Sequence, residues 1–446
     1  MQRPDEAFRL EMSCEKTLFG NSGIEKPFYE SILQKEGAKM AIWNWLTSVF
    51  MAISMFFSSI FGFFGAGENK QPPVVEPPEP ARACICGVCH PSDDYAMLKD
   101  AGLDWVRFDI PYPYNKDGSI SAAYTAFKNR AQGFAEQGIK VLAITPYPKY
   151  YFNIGGFDPS AEENAERTKE IAVFLLNDLR SVIGGLQISN EMGVASFTMP
   201  LTLEQAAKFV GIQAQAISEI KGDLLVGYNS AGVYEELHRL MQPYLPYMDY
   251  VGIDLYYGTL SNGSLQDYVS DIRKVNELTG KPVMLTEFGY ASAGRQTTAQ
   301  ERAAILASYG YSSEAAVRAD IVNFIAKLPD ALRSYILTKY PDPAAQSNAI
   351  FHEIAKHFYG HLDCSVPGIP HTQEGQAEFF RQLLPLLKET DCLAGFFIFS
   401  WKDYGQCPYC GRLDCPYKSV WGITDANGEP KAAYYAVRDA VKCAPT

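Results

Sequence analysis

The sequence predicts an α/β protein, a (β/α)8 or TIM barrel with a helical insertion after its seventh strand and a hydrophobic helix ahead of it. Three observations lead there. From Cys84 onward, eight short β-like runs alternate with amphipathic helical stretches, and strands separated by helices pair in parallel. No Gly-rich phosphate loop follows the first run, which argues against a dinucleotide-binding sheet. The 446 residues, 47% hydrophobic and 20% charged, leave room for one large core plus additions.

The units follow in order. CICGVCHP (84–91) leads into DDYAMLKDAGL, and WVRFDIPY (105–112) into a helical run near 121–137. KVLAITPYP (140–148) precedes 163–183, LQISNEMG (186–193) precedes 202–221, and LLVGYNSAG (224–232) precedes 234–242. DYVGIDLYYG (249–258) precedes 264–279. PVMLTEFGYAS (282–292) is the seventh strand and LAGFFIFSWKDY (393–404) the eighth; KAAYYAVRDAV closes the chain as a helix. Residues 293–371 break the rhythm, being too long for one crossover and mostly helical in pattern. They read as an insertion between strand seven and its helix at 372–389, placed over or beside the active face, or else as a small domain of their own. The barrel as a whole is assigned to 83–446.

Ahead of it, residues 1–39 form a mixed-charge tail, which would not be translated if Met40 is the start codon. Residues 40–67 hold no charge, and Trp43 and Trp45 suit a membrane interface near one end. The run reads as a transmembrane or signal-anchor helix, with a cleaved signal peptide or a surface helix as alternatives. Residues 68–82, rich in Pro and Glu, make a stiff linker. The barrel is then membrane-anchored and extracytoplasmic, or secreted if the run is cleaved.

A net charge of −12 without a long basic run excludes a nucleic-acid partner. An acidic chain with 27 Tyr, 26 Phe and 5 Trp suits a neutral, hydroxyl-rich ligand, because aromatic faces stack on sugars. Two carboxyls stand where such a barrel keeps its chemistry, at the C-terminal ends of strands. Glu191 follows Asn190 at the end of strand four, and Glu287 ends strand seven in VMLTEFG. By alternation, Gln187, Ser189 and Glu191 share one face, and Gly252, Asp254 and Tyr256 share another that excludes Tyr257. Convergent carboxyls, one protonated and one ionised, are what glycoside hydrolysis requires.

These motifs make the sequence resemble the clan A glycoside hydrolases, a group that includes cellulases, mannanases and galactanases. NE ends strand four, TEFGY ends strand seven, a tryptophan ends strand eight, and VWGITDANGEPKAAYYAVRDAV (420–441) is similar to the closing segment of many members. The resemblance spans roughly Cys84 to Lys442 and assigns no subfamily. It implies that Glu191 is the general acid/base and Glu287 the nucleophile. It also implies substrate-binding roles for Asn190 on the sugar 2-hydroxyl, Arg107 and Tyr256 beside Glu287, and Trp401 as a stacking floor. His90 ends strand one and joins the candidates. Tyr147, Tyr150 and Tyr151, after strand three, could line a cleft or simply pack.

Cys84, Cys86 and Cys89 read as buried small apolar residues on strand one. Cys407, Cys410 and Cys415, in CPYCGRLDC, have spacing that serves a structural zinc, with Cys364 or His371 as fourth ligand, or disulfides, with free thiols as the third reading. The reading is thus a retaining glycosidase cleaving O-glycosyl bonds of a β-linked oligo- or polysaccharide, with no cofactor required for catalysis. Its alternative is a catalytically silent carbohydrate-binding barrel at the cell surface.

Overall fold

A computed structural model describes residues 85–442, apart from 295, 296, 341, 361 and 363. The segments 1–39, 40–67 and 68–82, and Cys84, lie outside the described residues. Among the described residues, no helix is long and apolar enough to cross a membrane.

Eight parallel strands close on themselves in chain order: β1 (Ile85–Cys89), β2 (Trp105–Asp109), β3 (Lys140–Ile144), β4 (Gly185–Gln187), β5 (Leu225–Ala231), β6 (Tyr250–Leu255), β7 (Val283–Phe288) and β8 (Leu393–Ile398). The final pairing, β1 with β8, leaves no open edge. The helices between them form because their apolar residues recur on one stripe. In Ala165–Leu179 the buried set is Thr168, Ile171, Ala172, Leu175, Leu176 and Leu179, the i, i+3, i+4 pattern of a helix laid on a sheet. Each of its fully buried leucines contributes about 1.5–3 kcal/mol. The ends are set locally. Thr202 and Gln205 make a reciprocal capping box that opens Leu203–Ser218. Gly280, at φ 66°, closes Leu265–Thr279 in a left-handed conformation that costs glycine nothing.

Alternation along the strands divides the core in two. Val106, Phe108, Leu186, Val226, Tyr228, Val251, Ile253, Phe396 and Ile398 face the helices. Trp105, Leu142, Tyr250, Met284 and Phe397 fill the barrel interior. Glycines make room for the large rings: a Cβ on Gly87 would stand 2.4 Å from the Phe397 ring.

β7 departs from alternation where it matters. Its register shifts against both neighbours: Ile253 pairs with Leu285 but Asp254 with Glu287, and Leu285 pairs with Phe396 but Phe288 with Ile398. One extra residue is thus inserted, a β-bulge. Thr286 and Glu287 both turn inward as a result, although strict alternation would send Glu287 to the helix side.

β4 is also shorter than its sequence suggests. Pairing stops at Gln187, and Ser189 and Glu191 take positive φ of 59° and 37°. The shared face expected for Gln187, Ser189 and Glu191 therefore does not hold as a strand property. Residues 189–191 form a turn, held by Thr145 Oγ1 accepting from the Ser189 N–H at 3.0 Å and Asn229 Oδ1 from the Glu191 N–H at 2.7 Å.

Between β7 and the helix Gln373–Lys388 lie Ala299–Ser308, Glu314–Ala319, Ile321–Ala326, Asp330–Lys339 and Ser347–Tyr359. They share a hydrophobic cluster separate from the barrel core, which also takes in Cys407, Tyr409 and Cys415 from the loop after β8.

Candidate active site

One buried guanidinium organises the C-terminal mouth of the barrel. Arg107, on β2, is 1% exposed. Its Nη1 donates to Glu287 Oε1 at 2.6 Å, its Nη2 to Asn190 Oδ1 at 2.7 Å, and its Nε to Gln187 Oε1 at 2.9 Å. Tyr256, just past β6, donates its hydroxyl to Glu287 Oε2 at 2.5 Å, so both oxygens of that carboxylate are engaged. Tyr257 points away, to Asp271.

Beneath the rim the network continues. Asn190 Oδ1 accepts from Arg107, Gln187 Nε2 at 3.0 Å and Asn229 Nδ2 at 3.2 Å. Three donors on one oxygen fix the amide orientation and leave Nδ2 as the donor available to a ligand. Asn229 also donates to Asp254 Oδ2 at 2.8 Å, and Thr286 donates to Asp254 Oδ1 at 2.6 Å.

Three carboxyls therefore crowd one cation. Glu287 forms the ion pair. Burial, then the charges of Asp254 and Glu287, push the Glu191 carboxyl well above the usual range, against the opposing pull of Arg107. Among the described residues no donor hydrogen-bonds that carboxyl, so only the charge of Arg107 opposes its desolvation. Asp254 is also pushed up, by burial and then by Glu287, with Arg107, Thr286 and Asn229 opposing. His90, at φ 51°, is held neutral near pH 7 because burial lowers its imidazole pKa.

The cleft above measures ≈ 940 Å³ and is lined by His90, Asn190, Glu191, Tyr256 and Glu287. Tyr112, Tyr114, Tyr147, Tyr150 and Phe197 form one aromatic flank, and Tyr404, Tyr409, Tyr417 and Trp421 the other. Arg107 does not line it and works from below, through Glu287 and Asn190. Tyr151 is fully buried under the flank and edge-on to Tyr112.

Trp401 requires a correction. It is 1% exposed and belongs to the helix-side core, edge-on to Tyr434 of the closing helix Ala432–Lys442. Phe397 and Phe399 take the interior positions of this strand, so a residue two further on would continue inward only if the backbone stayed extended. It does not: pairing of the strand ends at Ile398, and the Trp401 N–H donates to Cys89 O at 3.1 Å. The tryptophan at the cleft is Trp421, edge-on to Tyr256 at 5.2 Å. Of the two fourth ligands expected for the cysteine loop, Cys364 or His371, the histidine ring is engaged elsewhere. His371 stacks on Tyr290, and its ring nitrogens contact Ala291 O at 3.1 Å and Cys364 O at 2.9 Å.

Asn229, Asp254 and Trp421 were not singled out from the sequence. The first two had a signal, being polar residues at inward positions of otherwise apolar strands. Trp421 lies in an irregular loop where periodicity offers none.

No family model matches the sequence, and no curated protein does. Solved structures share the fold. The Ignisphaera aggregans GH53 catalytic domain is 16% identical, with a TM-score of 0.50 over 83% of this chain and 99% of that one. A GH2 β-galacturonidase from Eisenbergiella tayi is 14% identical (TM-score 0.45, 81% of this chain and 51% of that one). An uncultured Clostridium sp. β-glucuronidase is 16% identical (0.48, 80% and 50%). The chain thus spans about half the length of the last two, and the likeness to the first is one of fold.

Removing one partner of a buried ion pair strands the other charge. Arg107→Ala is expected to lower stability by about 3–5 kcal/mol, read by urea unfolding at neutral pH. A loss under about 1 kcal/mol would mean that the pair is not held as described.

Proposed function

We propose that the protein is a retaining glycoside hydrolase acting on a β-linked oligo- or polysaccharide. The observation that supports this most is the contrast between two carboxyls in one cleft: Glu287 is paired with Arg107 and Tyr256, while Glu191 is driven toward its protonated form. Opposed protonation of two neighbouring acids is how acid and nucleophile roles are assigned.

In this reading the Glu287 carboxylate attacks the anomeric carbon while Glu191 gives its proton to the leaving oxygen. The bond to that oxygen breaks and a glycosyl ester on Glu287 forms. Glu191, now ionised, takes a proton from water, which displaces the sugar and restores both groups. The two carboxyls would stand ~5–5.5 Å apart, since a direct attack leaves no room for an intervening water. Asn190 Nδ2 would donate to the 2-hydroxyl. The aromatic flanks would hold sugar faces, with Trp421 taking the floor role first given to Trp401. The titration of Glu191 predicts an alkaline limb in the activity profile, because its proton is needed for departure of the leaving group.

Glu287→Gln and Glu191→Gln are each expected to lower kcat by ~10²–10⁴ on a panel of aryl β-glycosides and polysaccharides. Activated aryl leaving groups should lessen the Glu191 defect, as they need no proton. Retained activity in either variant overturns the assignment. Glycan binding by a wild-type protein that hydrolyses nothing on the panel would favour the silent binding barrel.

The charge-free run 40–67 supports a second proposal, that the barrel is tethered to a membrane. The full-length chain should then fractionate with membranes and need detergent for release. Intact protein in the soluble fraction contradicts this, and a product beginning near Glu68 would instead indicate a cleaved signal peptide.

A further inference from the structure

The loop after β8 meets the helical insertion around sulfur. Cys407 and Cys415 are buried, Cys410 is half-buried, and all three are free thiols. The helix Ser347–Tyr359 brings His357 to them. A ring nitrogen of His357 and the Sγ atoms of Cys407 and Cys415 all lie within 4.8 Å of one another. Cys410, three residues after Cys407 in the same loop, stands close enough to interact with both other sulfurs. His357 is 4% exposed; its ring interacts with Cys407, and its Nδ1 has no hydrogen-bond partner among the described residues.

Neither hydrophobic packing nor a disulfide accounts for this set. An unmatched buried ring nitrogen carries a desolvation cost of about 1–3 kcal/mol. A disulfide between any two sulfurs would leave the third thiol and the imidazole unused. A tetrahedral ion uses all four. With Zn–S near ~2.3 Å and Zn–N near ~2.0–2.1 Å, ligand atoms stand about 3.4–3.8 Å apart, so His357, Cys407 and Cys415, within 4.8 Å of one another, need to draw in by at most about 1.4 Å. Three soft thiolates and one imidazole favour zinc over oxygen-seeking magnesium or calcium.

We propose that His357, Cys407, Cys410 and Cys415 form a structural zinc site that ties the helical insertion to the loop after β8. Binding releases the three thiol protons to solvent as the thiolates coordinate. The tie reaches the cleft directly. Tyr409 lies between two ligands in sequence, lines the cleft, and packs edge-on to His357 at 4.8 Å and against Tyr335 at 5.5 Å. Tyr417, two residues beyond Cys415, lines the cleft as well and contacts His357 at 5.4 Å. The ion would therefore fix one aromatic wall. That this wall binds sugar rests on the glycosidase reading; the metal site does not.

The test is metal analysis of the full chain purified without added metal. One zinc per chain is expected, lost in H357A and C410S and kept in H357C, which restores a fourth ligand. Cobalt-substituted wild-type protein should show thiolate-to-metal charge-transfer absorption, and C410S should not. In the wild-type protein, Cys407, Cys410 and Cys415 should resist alkylation until a chelator is added, a readout that needs no variant to fold. Zinc content unchanged in H357A and C410S, ready alkylation of all three thiols without chelator, or a disulfide among them in protein lacking metal would each overturn the proposal. None of these readouts depends on catalysis, so failure of the glycosidase reading and failure of the zinc site are separable.

Discussion

Arg107 places a full positive charge inside the barrel, where water cannot solvate it, and the arrangement of the mouth follows from that. The cation needs an anion within contact distance, and Glu287 supplies it at 2.6 Å. Once Glu287 holds the charge, two further carboxyls nearby cannot easily do the same, since a single guanidinium does not balance three anions. Asp254 is pushed up as well, although donors from Asn229 and Thr286 oppose the shift. Among the described residues Glu191 has no such donors, and burial with the charges of Asp254 and Glu287 pushes its carboxyl up against the pull of Arg107. The contrast between the two glutamates is thus a consequence of one buried cation and of where hydrogen-bond donors are placed around it.

The fold contributes the aim. A parallel barrel sends alternate side chains inward, which puts Arg107, Asn229, Asp254 and Tyr256 into one space without special devices. Glu287 and Glu191 need more. The bulge in β7 turns Glu287 into the barrel beside Thr286. The turn at 189–191 leaves the ladder and carries Ser189 and Glu191 at positive φ, roughly 1–3 kcal/mol of strain each for residues with a Cβ. The bonds from Thr145 and Asn229 hold that turn in place, so the strain is borne by the same network that fixes the carboxyls.

Regular elements could be read from the sequence because regular geometry writes a period into it. The eight strands, the helices between them and the inward position of Tyr256 all follow from periods of two and 3.6. Glu191 and Glu287 were located by motif and by their place at strand ends. What periodicity could not give is irregular backbone. Trp401 was given the cleft by the resemblance, as the tryptophan ending strand eight, whose last paired residue is in fact Ile398. The chain bends there, Trp401 enters the helix-side core, and Trp421, from a loop with no period, takes the cleft position. His357 was missed for a different reason. It lies on a helix fifty residues before the cysteines in sequence, and only the folding of the insertion brings it to them. Asn229 and Asp254 were legible as inward polar residues, but their partners are four strands' worth of tertiary contact that a single strand does not reveal.

The most direct measurement is the titration of the Glu191 carboxyl, followed by 13C NMR of glutamate-labelled protein with E191Q used to assign the signal. In wild type the signal should titrate well above the usual glutamate range, because burial and the charges of Asp254 and Glu287 disfavour its anion. In Glu287→Gln one of those charges is gone and Arg107 is freed from its partner, so the Glu191 value should move down. An ordinary glutamate titration in wild type, or a value unmoved when Glu287 loses its charge, would contradict the claim that one buried ion pair divides the two carboxyls into opposite protonation states.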